Sequence, residues 1–302
     1  MKRIGLMIAA LFALCILVNT VYAADPVPAP AAPAAATAAP AVPAAPAVEE
    51  PKVTGSVGLG VFNEYVFRGY ELSNKSAVFQ PTSTISYRGF SLTFWGNLDS
   101  RQHATENFAP NDRQRTWNET DLTASYTYNI GKLGLTAGYI YYGTRYAKET
   151  QEVFGSATYD IIAHPTFTVN QDIAAYKGTY FNLAFSQSQP VFKLPTGDLT
   201  LDLGASFGYF IGEANYWKTY DSNTGLYDGK KYNAAHDGMG KIGFTVPLGK
   251  GFTIQPVAQY WFPLSGKAHE KQITDASGQH NWQQNGKVDN TFVYGVNLGF
   301  AF

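Results

Sequence analysis

From Val53 onward the chain alternates apolar and polar residues with a period of two. Val57, Leu59 and Val61 interleave with Ser56, Gly58 and Gly60. Phe79, Pro81, Ser83, Ile85 and Tyr87 then share one phase, and Gln80, Thr82, Thr84 and Ser86 the other. Leu122, Ala124, Tyr126, Tyr128 and Ile130 likewise oppose Asp121, Thr123, Ser125 and Thr127. Successive side chains on a strand point to opposite faces, so this pattern predicts strands with one apolar and one polar face. Twelve such segments are expected, at roughly 55–67, 77–87, 90–99, 119–130, 133–145, 151–161, 166–176, 179–188, 198–211, 238–248, 252–262 and 290–302.

The connections sharpen the picture. Arg88-Gly89, Gly131-Lys132, Ala163 to Pro165 and Gly249 to Gly251 are tight, with Gln189 to Gly197 a longer member of the same even-numbered set. Three odd-numbered connections are long and polar: Ser100 to Asn118, Gly212 to Asp237 and Pro263 to Asp289. Short turns alternating with long loops are the pattern of outer-membrane barrels, whose short turns are periplasmic. An even strand number also brings both ends of the wall to one side. Residues 53–302 therefore read as an all-β, transmembrane, antiparallel up-and-down β-barrel of about twelve strands. A soluble sandwich or lipocalin-type barrel shares the period-two pattern but buries its apolar face inside.

The closing segment separates the two. Phe292, Tyr294, Val296, Leu298, Phe300 and Phe302 fall on one face, with Thr291, Gly295, Asn297, Gly299 and Ala301 on the other and Val293 its only large apolar exception. In water such an apolar stripe on an edge strand invites aggregation. In lipid it is at home, and pairing with the first segment satisfies the backbone. A Phe302 in this register resembles the signal that the outer-membrane assembly machinery reads, so that machinery and outer-membrane lipid are the expected partners.

Ahead of the barrel, residues 1–23 read as a secretory signal. Lys2 and Arg3 form a basic start, Ile4 to Val18 an apolar core, and Val21-Tyr22-Ala23 a cleavage site. The apolar run is shorter than the roughly 20 residues of a spanning helix. Cys15, the one cysteine, lies within it behind Leu14, which does not suit a lipoprotein site, and cleavage would leave no thiol. Residues 24–52 are mostly Ala and Pro and read as an extended periplasmic linker, either a spacer on the peptidoglycan side or a leader with no partner. Removing Lys2 and Arg3 turns 22 basic against 23 acidic residues into 20 against 23, a net charge of −3. That balance, without a basic patch, excludes a nucleic-acid partner. Aromatics at 15% and 29 glycines fit an alternating wall with interfacial rings.

Several segments resemble the TorF-type porin family of small Gram-negative outer-membrane proteins. The matching pieces are Glu64-Tyr65-Val66-Phe67-Arg68-Gly69, Phe94-Trp95-Gly96-Asn97-Leu98-Asp99, Glu119-Thr120-Asp121-Leu122 leading to Ser125-Tyr126, and Gly138-Tyr139-Ile140-Tyr141-Tyr142, with Glu152-Val153 a weaker one. The similarity covers about residues 56–160 and fades beyond. It implies a barrel in the outer membrane and a channel role, with no solute specified.

Candidate chemistry is sparse. His103, His164, His236, His269 and His280 fall in expected loops or turns without ligand spacing, and read as solvated. No His is followed closely by Ser and Asn as in outer-membrane phospholipases, so no catalytic, cofactor or metal site is expected. Asp221, Asn223, Gly225 and Asp228 suggest a calcium loop, but Tyr232 stands where a bidentate Glu is needed. The functional set is the pore lining. By phase Glu64, Asp99, Asp121, Glu152, Asp160, Asp172 and Asp202 face the lumen with Lys241, while Arg68 and Arg101 lie near the extracellular mouth. Acids and bases there either pair and fill the lumen or leave an acid-lined pore that favours cations. The expected function is passive diffusion of ions or small polar solutes, with a non-conducting structural or partner-binding barrel as the alternative.

Overall fold

The computed structural model of the chain describes residues 52–103, 113–221, 224, 226–269 and 288–302. The signal segment 1–23, His280 and all of the linker but Lys52 lie outside the described residues. The strands in chain order are β1 (Thr54–Phe62), β2 (Tyr65–Phe67), β3 (Tyr70–Ser73), β4 (Val78–Tyr87), β5 (Phe90–Asp99) and β6 (Thr116–Ile130). They continue with β7 (Leu133–Thr144), β8 (Thr150–Tyr159), β9 (Thr166–Asp172), β10 (Gly178–Leu194) and β11 (Gly197–Gly212). After these come β12 (Lys218–Tyr220), β13 (Tyr227–Lys231), β14 (Asn233–Gly249), β15 (Phe252–Pro263), the single-turn helix α1 (Gly266–His269) and β16 (Thr291–Ala301).

Twelve of these strands close into an antiparallel barrel in the order β1, β16, β15, β14, β11, β10, β9, β8, β7, β6, β5, β4. The remaining four form two hairpins in loops, β2–β3 and β12–β13. Closure joins β1 to β16 from Ser56↔Ala301 to Phe62↔Gly295. It extends one step further, with Gly55 N donating to Phe302 O at 2.8 Å and Phe302 N to Gly55 O at 2.9 Å. Closing the wall removes every edge, which is the one way a sheet survives in lipid.

The face pointing away from the lumen is apolar. Phe90 is 64% exposed, Phe192 62%, Tyr128 58% and Phe292 55%, values that a water-facing surface would not tolerate together. Exposed rings collect at both rims: Tyr87, Phe90, Tyr128, Tyr159 and Phe252 beside the tight turns, and Trp117, Tyr209, Tyr260, Phe292 and Tyr294 toward the loops. Aliphatic residues such as Leu92, Leu122, Leu135, Val153 and Ile242 lie between them. Two aromatic girdles around an aliphatic band are the surface of a membrane-spanning barrel.

The structure departs from the expected segments in three places. The first segment, expected at 55–67, breaks at Phe62, and 65–67 pairs instead with 70–73 as a separate hairpin. Asn63 ends the ladder: its backbone N donates to Tyr294 O, its Oδ1 accepts from Tyr294 N at 2.7 Å and its Nδ2 donates to Phe292 O at 3.1 Å. Tyr65 and Phe67 of the hairpin resume the phase of Val57, Leu59 and Val61, which conceals the join. The Gln189–Gly197 connection is mostly strand, since β10 runs to Leu194 through a register shift between Pro190 and Phe192. A proline cannot donate to the ladder, and the shift accommodates it. Finally, β14 begins at Asn233 rather than 238, within the stretch read as a loop.

Candidate functional site

The hairpin β2–β3 turns at Arg68 (φ +48) and Gly69 (φ +78), two successive left-handed residues of the kind a two-residue hairpin requires. Glycine is needed at the second for room as well as for φ. A Cβ there would lie 2.8 Å from Asp237 Cβ and 2.8 Å from Val288 Cγ1.

The tip crosses the lumen. The hairpin is rooted between β1 and β4, and Arg68 reaches β8, which stands seven strands from β1 one way round and five the other. There Arg68 Nη1 and Nη2 donate to Glu152 Oε1 and Oε2 at 2.7 and 2.8 Å. This bidentate geometry is the strong form of the pair. Tyr142 OH donates to Glu152 Oε2 at 3.0 Å. The guanidinium lies 4.7 Å from the Phe67 ring centre and 4.4 Å from that of Tyr180. Rings and a carboxylate therefore replace its water.

Other wall strands grip the rest of the hairpin. Tyr65 packs on Trp95 of β5 with ring centres 5.3 Å apart, and its hydroxyl lies beside the Glu119 carboxylate of β6. Tyr70 meets His236 of β14 at 4.9 Å. At the root, Ser73 Oγ and Ser76 Oγ donate to Asp99, the latter at 2.6 Å. Tyr180 OH donates to Asp237 Oδ1 at 3.0 Å, closing the ring of contacts on β10 and β14.

The expected pore-lining residues fall into distinct places. Asp121 and Glu152 lie with Glu119 around the hairpin tip, and Asp121 Oδ1 is buried without a hydrogen-bond partner among the described residues. Asp99 and Asp172 are buried at the loop-side ends of β5 and β9. Asp172 accepts from Thr150 Oγ1 at 2.6 Å and from the backbone N of Ala174 and Tyr176. Asp202 sits nearer the tight turns, accepting from Ser188 and Thr245 hydroxyls at 2.6 Å and from Gln255 at 2.9 Å. Lys241 lies beside Gly204, and its side chain makes no hydrogen bond or ion pair among the described residues. Asp160 lies past the end of β8, in the turn, 3.1 Å from His164 Nδ1. Arg101 is exposed just beyond β5, whereas Arg68, expected near the mouth, is the buried latch. Glu64 is in the break after β1 rather than on a spanning strand, accepting from Asn63 Nδ2 at 2.7 Å.

One histidine reading is corrected. His236, read as a solvated loop residue, is fully buried on β14, with Nδ1 2.6 Å from Tyr232 OH. Its strand is longer than the local alternation, which the neighbouring Ala234-Ala235 and the register shift opposite Phe207–Tyr209 obscure. Sequence reasoning also missed Tyr65, Tyr70, Tyr180 and Asp237 as a group. No spacing signal links residues that meet only because a loop folds inward.

Toward the tight turns the lumen changes character. Hydroxyls pair across neighbouring strands: Thr84 with Thr93, Thr127 with Thr136 and Thr158 with Thr166 at 2.9 Å, and Ser86 with Ser91 at 2.7 Å. Small side chains that satisfy one another leave this half free of bulky fillers. Among the described residues, Arg68–Glu152 is the one ion pair inside the wall. Hydroxyls, amides and backbone N–H groups, rather than bases, serve Asp99, Asp172, Asp202 and Asp237.

Burial, and then the adjacent Glu71 carboxylate, push Glu64 up from its ordinary 4.5 to about 7. A folded-state value above the free value favours the docked hairpin while Glu64 is protonated. That contribution is complete below 4.5 and is lost as pH rises from there to about 7. Protection of the 65–73 backbone amides against hydrogen exchange should therefore fall across this window, after correction for intrinsic exchange. Glu64→Gln should remove the fall; a pH-independent wild type would refute the assignment.

No protein-family model matches the chain, and no curated protein matches it. Among solved structures, an anion-selective porin from Comamonas acidovorans is 10% identical, covering 84% of this chain and 99% of that one at a TM-score of 0.31. The translocator domain of the autotransporter NalP from Neisseria meningitidis is 13% identical, covering 83% and 87%, at 0.26. A chain solved in work on the in-meso crystallization of membrane proteins is 9% identical, covering 82% and 83%, at 0.36. Likeness at these scores adds nothing to the barrel described above from its own strand pairing.

Proposed function

We propose that this barrel is a diffusion channel of a Gram-negative outer membrane, passing ions or small polar solutes through a lumen narrowed by β2–β3. In this reading the long loops face outward, and the tight turns and both ends of the wall face the periplasm. Export through residues 1–23 and the resemblance to TorF-type porins belong to the same reading. So does recognition of the closing strand by the assembly machinery.

The observation that carries it is the cluster of acidic side chains where the hairpin crosses. Glu119, Asp121 and Glu152 gather there against Arg68, and Glu152 already engages that one base. Acidic side chains around a constriction favour cations, to which their oxygens offer ligands, over anions, to which they offer none. Narrowing by a hairpin instead of by the wall also explains how twelve strands with a Ser/Thr/Gly lumen would select among small solutes.

Purified protein in planar bilayers under a KCl gradient tests this. Unitary steps with a cation-preferring reversal potential are expected, and Glu119→Gln with Asp121→Asn should move that potential toward zero. A correctly folded barrel with no unitary conductance would overturn the reading and leave a non-conducting, partner-binding barrel.

A further inference from the structure

Between the hairpin and the loop rim lies a cavity of about 130 Å³. Rings make up much of its wall: Phe67 and Tyr70 from the hairpin, Tyr142 from β7, Tyr176 before β10, and Tyr216 and Trp217 after β11. Tyr176 and Tyr216 meet edge to face at 4.6 Å, and Trp217 Nε1 donates to Tyr176 O at 2.8 Å, so this aromatic corner is held in place.

We propose that this cavity binds a small organic cation, an alkylammonium ion bearing a hydroxyl or N–H donor. Three observations point the same way. First, the carboxylates of Glu119 and Asp172 reach the wall, while Arg68 is engaged by Glu152 and Lys148 is exposed at the rim. The balance repels anions. Second, the rings at this wall already solvate a cation: the Arg68 guanidinium lies against Phe67, which lines the cavity, and against Tyr180, which packs behind the lining Phe210. Aromatic faces attract alkylammonium ions in the same way, and most strongly where water is excluded. Third, Tyr70, only 4% exposed, is part of the cavity wall, and its buried hydroxyl has no hydrogen-bond partner among the described residues. A small shift of that ring would present its oxygen as an acceptor to a donor on the ligand. A buried, unmatched hydroxyl is otherwise a cost.

A neutral sugar fits less well. It would stack on the rings, but it offers no charge to the carboxylates that the wall holds in excess. An inorganic cation would keep its water and gain little from the rings.

The inference rests on the channel reading only in placing the cavity at the outer mouth, and its test needs no conductance. The full chain in detergent micelles would be titrated with choline, with 3,3-dimethyl-1-butanol (its uncharged carbon analogue) and with glucose, by calorimetry and by tryptophan fluorescence. Choline should bind saturably, at least about ten-fold more tightly than the alcohol, in keeping with a cation–π contribution in a desolvated site. Tyr216→Leu should weaken choline about ten-fold and leave the alcohol unchanged, with heat-modifiable mobility on gels verifying the folded barrel. Tyr70→Phe should weaken choline while leaving tetramethylammonium, which lacks the hydroxyl, unaffected. Equal affinity for choline and the alcohol, glucose binding without choline binding, or no saturable binding would each overturn the proposal. Choline binding by a barrel that does not conduct would uphold the site and reject the channel.

Discussion

Arg68→Ala should release the luminal hairpin and raise unitary conductance several-fold, with larger current fluctuations. The substitution removes both arms of the 2.7 and 2.8 Å contact with Glu152 and the packing of the guanidinium on Phe67 and Tyr180. Breaking a buried pair by deleting one partner costs about 3–5 kcal/mol, because the surviving charge stays buried. Tyr142 OH still donates to Glu152, which softens the loss toward the lower end. At about 1.4 kcal/mol per decade, the docked-to-undocked ratio should fall by roughly two orders of magnitude. Arg68→Lys should lie between the two, since an ammonium keeps the charge and gives up the two-pronged geometry. Planar-bilayer recordings read the conductance, and hydrogen exchange of residues 65–73 reads the hairpin directly. Unchanged conductance together with unchanged protection would eliminate the latch.

Leu122→Arg should destabilise the barrel strongly, and Thr123→Arg, one residue along, should not. Both lie midway along β6, and they face opposite ways. Leu122 is 44% exposed on the outer surface and pairs with Phe94 and Tyr141, while Thr123 pairs with Thr93 and Ile140 inside. An arginine on the lipid face near the bilayer midplane costs about 2–4 kcal/mol. The same side chain in the lumen can reach water and the carboxylates above it. Urea unfolding in lipid vesicles would measure the difference. Equal destabilisation would mean that the aliphatic band is not the lipid contact. Thr123→Arg should also lower cation preference, an electrical readout that a purely structural role would not produce.

The wall was legible because its signal is local and repeated. Period-two alternation placed nine of the twelve spanning strands within a few residues, and Arg88-Gly89 marked a tight turn that the structure makes with left-handed backbone (φ +50 and +85). The exceptions have local reasons. Pro190 reads as a turn residue and is absorbed by a register shift. The alternation across 65–67 belongs to a different hairpin.

The candidate site was legible only in part. Asp121, Glu152 and Asp172 face the lumen by phase alone, and phase assigns them. Arg68 was recognisable as a charged residue near a loop, but nothing in its neighbourhood indicates a partner 84 residues away. His236 shows the same limit from the other side: five polar or small residues around it suggest a loop, and burial comes from the Tyr70, Phe210 and Tyr232 rings packed around it.

By itself, then, the sequence determined that this chain forms a closed, membrane-spanning wall. Alternation dictates two faces, and only lipid outside and closure of β16 on β1 satisfy both the apolar face and the backbone. The tertiary structure alone decided what the lumen holds. The first loop turns inward at Asn63 and bonds the opposite wall. That outcome depends on the distance across a ring of twelve strands, which no local pattern encodes.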